Sequence, residues 1–133
     1  MKYQEIAEQQ KESISEMFKD LGVFFAFSKK QFEENKTPLA DDEKYSSIVG
    51  GGFLPSSNAE KFLESFDLIN QTFLAQIKEH KQEEAHILYE LYNHECFYLG
   101  NPSNAYAALL DYYPTKKIIE VYNKHRNAYN ENN

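Results

Sequence analysis

The chain has 133 residues, a formal net charge of −7 and 41% hydrophobic residues. The acidic balance argues against direct nucleic-acid binding, which needs a basic surface to displace counterions, and against docking on an anionic membrane. The hydrophobic content is that of an ordinary folded domain and too high for a disordered chain. We therefore expect one domain over residues 1–133, with a disordered tail at 130–133.

The cellular compartment is constrained by the apolar runs and by the cysteine content. The longest apolar run, Val23 to Phe27, is far too short to cross a membrane, and the polar first residues show no signal peptide. The single cysteine, Cys96, excludes an internal disulfide, fits a reducing compartment and is interpreted as a small core residue. These features predict a cytoplasmic protein.

The N-terminal part of the chain combines helix and strand patterns. Apolar residues at three- and four-residue spacing predict an amphipathic helix over residues 3–21. An aromatic-rich run at 23–28 predicts a buried strand. Ser28 and Gln31 have the spacing of a capping box, which predicts a short helix at 29–35.

A second strand pattern, over residues 44–54, contains Gly50, Gly51 and Gly52. Consecutive glycines indicate a bulge, a tight turn or a close approach of backbones, and a hairpin folded at them would give three strands in all. The segment lacks the glycine spacing of nucleotide-binding loops. A structural role for the three glycines is therefore favoured over phosphate binding.

The remainder of the chain has helical patterns with clear caps and breakers. Further helices are predicted at 58–80, 83–99, 102–111 and 115–129. Together the patterns predict an α+β fold that is mostly α, with about five helices packed on a small two- or three-stranded antiparallel β element.

Glu95 is the most unusual residue of the predicted helix over 83–99. On a helical wheel it falls near the middle of the apolar arc, where an unpaired carboxylate would cost several kcal/mol. We interpret it as a structural carboxylate that accepts backbone N–H groups, with the Gly50–Gly52 segment as one source of donors. A catalytic acid or base, with His94 beside it, is the alternative interpretation.

His86, Glu90 and His94 recur every four residues on the opposite side of the same helix. The ends of such a ridge lie ~12 Å apart, too far for one tetrahedral ion with bonds of ~2.1 Å. We predict no metal site and no cofactor here, and interpret the ridge as a solvated face. Phe97 falls on this polar side and is predicted to be covered by another element or to form part of a contact patch.

Tyrosine is concentrated in the C-terminal half of the chain, which holds eight of the ten. Exposed tyrosines are good interface anchors because they combine a rigid apolar ring with a hydroxyl group. The acidic residues are mixed with lysines, which favours solubilising faces over mimicry of a nucleic-acid backbone.

Three segments resemble a family of small, largely uncharacterised proteins found in bacteriophages and mobile elements. They are FFAFSKKQFEE (24–34), IVGGGFL (48–54) and ELYNHECFY (90–98). The resemblance carries no activity, but it implies a context in which small accessory proteins bind host machinery. It draws attention to four positions of the third segment: Glu90, Asn93, His94 and Glu95.

The leading hypothesis is a non-enzymatic accessory protein that binds and inhibits or modulates a host protein or ribonucleoprotein complex in a bacterial cytoplasm. A defence nuclease such as a CRISPR effector is the favoured target. One alternative is a small hydrolase that acts on a nucleotide or signalling molecule through Glu95 and His94; another is a structural protein that self-associates, as a homodimer, through the helix at 58–80. The predicted contact residues are Glu90, Asn93, His94, Phe97, Tyr98, Tyr112 and Tyr113.

Overall fold

The computed structural model describes residues 1–132. Within them lie seven α-helices and one three-stranded antiparallel sheet, so the predicted fold class, α+β and mostly α, is confirmed. The contacts divide the chain into two compact units, Gln4–Gln76 and Met1–Tyr3 with Ile77–Asn133, which are described separately. The single domain over 1–133 stays a prediction.

The elements have the following bounds. The helices are α1 (Tyr3–Leu21), α2 (Lys29–Asn35), α3 (Ala59–Glu79), α4 (Glu83–Asn93), α5 (Cys96–Leu99), α6 (Tyr106–Leu109) and α7 (Thr115–Asn132). The strands are β1 (Phe24–Phe25), β2 (Tyr45–Ile48) and β3 (Gly52–Pro55). Single turns of 3₁₀ helix cover Ser56–Asn58 and Ser103–Ala105.

Helix α1 has the predicted bounds and buries the predicted stripe. Ile6, Met17 and Leu21 are buried on it, because apolar residues three and four apart share one face of a helix. Gln10 is the polar residue within that stripe, and its amide donates to the side-chain oxygen of Asn70 on α3 at 2.9 Å. The hydrogen bond satisfies a part-buried polar group that would otherwise cost stability.

The sheet has the strand order β1-β3-β2, with both pairs antiparallel. Phe24 pairs with Phe53, and Ile48 pairs with Gly52 across the hairpin of β2 and β3. Gly50 and Gly51 form the turn with φ of +86° and +82°, values that glycine adopts at little cost. The hairpin folded at the glycines is therefore confirmed, and with it a conformational role for the turn.

Aromatic side chains fill the space between α2 and the sheet. The ring of Phe32 packs edge-on against Tyr45 and Phe53, with ring centroids 5.1 Å apart in both pairs. Ser28 caps α2 as predicted, because its Oγ accepts from the Gln31 N–H at 3.1 Å. The cap and the ring contacts together fix this short helix on the sheet.

The second unit is built around α4 and α7. Its buried core consists of Ile87, Leu91, Cys96, Phe97, Ala105, Leu109, Tyr113, Ile118, Val121 and Tyr122. Glu84 on α4 accepts from Lys124 at 2.7 Å and from His125 at 3.0 Å on α7. These two contacts hold the pKa of Glu84 below its usual value, and the contact with Lys124 has the larger effect.

Two predicted boundaries in this unit are wrong. The predicted helix over 83–99 is divided into α4 and α5 by a break after Asn93. Helix α7 continues to Asn132, three residues beyond the predicted end at residue 129, since no glycine or proline stops it there; the disordered tail stays a prediction. Asn133 lies outside the described residues.

Candidate functional site

The break between α4 and α5 lies at Glu95. This residue has φ of +55° and ψ of +31°, the left-handed conformation that costs a non-glycine residue about 1–2 kcal/mol. Its N–H donates to the carbonyl of Tyr92 at 3.1 Å, which closes the last turn of α4. The chain therefore changes direction at Glu95, and the side chains after it no longer follow the phase of α4.

The break reverses the positions predicted for Glu95 and Phe97. Glu95 is exposed and makes no capping hydrogen bond, so the prediction of a buried structural carboxylate is wrong. An exposed carboxylate is accessible to solvent and does not need buried N–H donors around it. Phe97 is only 6% exposed and belongs to the core, so of its two predicted roles the structure shows the first, a side chain covered by another element. Cys96 is fully buried, as predicted, and burial raises the pKa of its thiol.

A surface cavity of about 220 Å³ lies beside this break, and we name it the tyrosine pocket. Tyr92, Glu95, Phe97, Tyr98 and Tyr129 line it. The Phe97 ring lies 5.0 Å from the ring of Tyr92 and 5.6 Å from the ring of Tyr129. Phe97 is thus the buried floor of the pocket, and the other four residues are its walls.

Two tyrosines of the pocket are largely exposed, and one of them, Tyr98, is a predicted contact residue. Tyr98 is 79% exposed and Tyr92 is 53% exposed, which leaves both rings available to a second molecule. The pocket offers ring faces, which carry negative charge density, together with one carboxylate. Such a lining complements positively charged groups.

The side chains of Glu90 on α4 and of His94, which directly follows the helix, are in contact. The Nε2 atom of His94 lies 3.2 Å from a carboxylate oxygen of Glu90, one helical turn away. The alternative of a hydrolase that uses Glu95 and His94 stays a prediction, and the structure shows His94 in contact with Glu90. Of the other predicted contact residues on this helix, Asn93 is exposed at its last turn.

His86 is a buried histidine whose burial was not predicted from the sequence. It was expected on a solvated face, but it is 4% exposed and its Nδ1 atom lies 2.8 Å from the Tyr113 hydroxyl. Its ring stacks on Tyr3 with centroids 5.5 Å apart and is tilted against Tyr112 at 5.9 Å. Burial lowers the pKa of His86 to about 4, so the imidazole is neutral at pH 7.

Tyr112 and Tyr113 differ in their surroundings, although both are predicted contact residues. Tyr112 is 40% exposed, whereas Tyr113 is 8% exposed and has its hydroxyl on His86, so the prediction of Tyr113 as a contact residue is wrong. Burial and then the nearby charge of Glu83 raise the pKa of Tyr113. No local signal marks His86 as buried, because Glu83 and Glu90, its neighbours one helical turn away on either side, are both charged residue types.

Two further properties of the described residues, 1–132, bear on the kinds of site available. No helix among them has the length and apolar composition needed to cross a membrane. Within the same residues, no three His, Cys, Asp or Glu side chains come together in a way that could hold a metal ion.

Comparison with known proteins gives a family but no activity. No curated protein matches the chain, and no solved structure matches it. The model of a family of unknown function, DUF7659, matches residues 2–131, which is nearly the whole chain. The chain therefore belongs to DUF7659, a family of unknown function.

Proposed function

We propose that this protein is a non-enzymatic binding protein whose contact surface is centred on the break between α4 and α5. The observation that carries the proposal is the exposure of large side chains there. Tyr98 is 79%, Tyr92 53% and Leu99 48% exposed, within eight consecutive residues. Tyrosine is over-represented among the residues that dominate binding energy at protein interfaces, because its ring buries a large area with few rotatable bonds.

The charge of the chain supports a basic partner. Residues 4–76 hold 13 acidic and 7 basic residues, which accounts for −6 of the total net charge of −7. On α1 an exposed ridge of carboxylates repeats every three or four residues, formed by Glu5, Glu8, Glu12, Glu16 and Asp20. Such a field speeds the approach of a positively charged protein, and its effect weakens as salt is added.

The proposal also names a class of partner. A host complex in the cytoplasm of a bacterium, with a defence nuclease as its favoured member, follows from the resemblance of the three segments to phage and mobile-element proteins. The proposed binding surface does not depend on this choice of partner.

Site-specific photo-crosslinking tests the proposal directly. A photoreactive p-benzoylphenylalanine would be placed at Tyr98, and in a control protein at Tyr89, which is 51% exposed on α4 but does not line the tyrosine pocket. In cells that naturally encode the protein, we expect a discrete crosslinked partner from position 98 and little or none from position 89. Identical crosslinking patterns from both positions, or none from position 98, would refute the proposed surface.

Self-association is a second candidate, favoured by a specific feature of α3. Leu63 is 68% exposed, Leu68 63% and Phe66 38%, an unusual apolar content for a helix surface. A homodimer formed through α3 would bury Leu63 and Phe66, which lie three residues apart and share one face of the helix. Light scattering on the purified protein should then give the mass of two chains, and Leu63→Glu should return it to one. A monomer at about micromolar concentration would eliminate this candidate.

A further inference from the structure

The tyrosine pocket has a rigid floor. Phe97 is held between two rings of α7, stacked on Tyr122 with centroids 5.2 Å apart and on Tyr129 at 5.6 Å. Only 6% of its surface is exposed, so neighbouring side chains pack against it closely. A floor of this kind is preorganised, so that a ligand does not have to order it.

The walls of the pocket combine π faces with one negative charge. Tyr92, Tyr98 and Tyr129 supply rings, Glu95 supplies a carboxylate, and none of the described residues that line the pocket is basic. The Glu95 carboxylate is placed at the cavity by a left-handed backbone conformation that is costly for a residue with a side chain. Strained backbone of this kind is concentrated at functional sites in proteins.

The lining distinguishes between classes of ligand. An anion would be repelled by Glu95 and by the negative faces of the rings. A neutral apolar group would suit the rings but would partly desolvate the carboxylate without pairing it, which costs free energy. An organic cation satisfies both features, because its charge pairs with the carboxylate and is attracted to the ring faces.

We infer that the tyrosine pocket binds the guanidinium or ammonium end of an arginine or lysine side chain that a protein partner inserts into it. The inference rests on the proposed function, to which it adds the anchor residue of the partner. A cavity of about 220 Å³ has room for such a group with part of its aliphatic stem. Arginine is the better match, since its planar guanidinium can stack on one ring while it donates to Glu95.

The test uses the purified protein and two small probes, N-acetylarginine amide and its neutral isostere N-acetylcitrulline amide. Amide chemical shifts in ¹⁵N-correlated NMR spectra report binding residue by residue. We expect the arginine probe to bind in the millimolar range, with shifts confined to Glu95, Tyr98 and their neighbours, and the citrulline probe to bind about tenfold more weakly. Equal binding of the two probes, or shifts located elsewhere, would overturn the inference.

Variants of exposed residues separate the two parts of the lining. Glu95→Gln removes the charge, and Tyr98→Leu and Tyr92→Leu each remove a π face while keeping apolar bulk. Each should weaken the arginine probe about three- to tenfold, whereas Tyr89→Leu, on the same helix outside the pocket, should not change its affinity. Unchanged binding in all three pocket variants would also overturn the inference. If a variant fails to fold, the comparison of arginine with citrulline on the unchanged protein still decides.

The failure of this inference is distinguishable from the failure of the proposed function. The probes need no partner, so arginine-selective binding supports the pocket even if crosslinking captures no protein. Conversely, a partner crosslinked at position 98 with no preference for arginine over citrulline keeps the binding protein and rejects the cation pocket.

Discussion

Acidification should destabilise the folded protein through His86. The imidazole is 4% exposed and lies among the rings of Tyr3, Tyr112 and Tyr113. Burial disfavours the protonated form of the ring and lowers its pKa from about 6.5 to about 4. In the unfolded chain the same ring is solvated and titrates at its ordinary pKa.

The sign and the size of the effect follow from proton linkage. Between pH 6.5 and pH 4 the unfolded chain binds a proton at His86 that the folded protein does not, so stability falls as the pH falls through this range. The stabilisation is complete above pH 6.5. Because each tenfold change in proton affinity corresponds to about 1.4 kcal/mol, the loss should reach about 2 kcal/mol at pH 5 and about 3 kcal/mol at pH 4.

Urea unfolding followed by circular dichroism at pH 7.5 and pH 5 measures this loss. The matched control is His86→Asn, because an asparagine side chain reaches the position of Nδ1 beside Tyr113 but does not titrate. The difference in unfolding free energy between the two proteins should change with pH by about 2 kcal/mol, while carboxylate titrations cancel. A His86 pKa near 6 in an NMR titration, or an equal pH dependence in His86→Asn, would refute the reasoning.

Two further substitutions test other contacts by the same unfolding assay at neutral pH. Tyr113→Phe removes the hydroxyl that lies 2.8 Å from His86 and should lower the unfolding free energy by about 1–3 kcal/mol, because a buried ring nitrogen loses that partner; no loss would mean that water replaces the hydroxyl. Gly50→Ala and Gly51→Ala should each cost about 1–2 kcal/mol for the positive φ, since the Phe27 ring that a Cβ at Gly51 would meet is 77% exposed and can move aside; a clearly larger cost for Gly51→Ala would show that this ring is held in place.

The elements that could be predicted from the sequence are those specified by local signals. Helix α1 begins and ends at the predicted residues because a regular apolar stripe leads into Gly22, which has φ of +71°. Helix α2 does so because Ser28 and Gln31 cap it. The sequence alone left three roles open for the glycines: a bulge, a tight turn or a close approach of backbones. The pairing of β2 with β3 shows that they form the turn of a hairpin.

The candidate site was less predictable because its geometry depends on one residue that gives no local signal. Glutamate is a good helix former, so nothing in the sequence around Glu95 indicates a break. A helical wheel that continues through Glu95 places Cys96 and Leu99 on the same helix as α4. Their apolar side chains shift the predicted buried face away from the true buried face of α4, which carries His86 and Leu91. The same error placed Glu95 inside and Phe97 outside.

The balance of energies explains why the chain breaks at Glu95 and yields a last prediction. Burying Phe97 is worth about 1.5–3 kcal/mol, more than the cost of about 1–2 kcal/mol for one left-handed residue. If that cost is real, Glu95→Gly should relieve it, whereas Glu95→Ala should retain it. We expect Glu95→Gly to be more stable than Glu95→Ala by about 1 kcal/mol in urea unfolding, the reverse of their order in a helix interior. A more stable Glu95→Ala would mean that α4 and α5 form a continuous helix, in which Phe97 would not be the floor of a pocket.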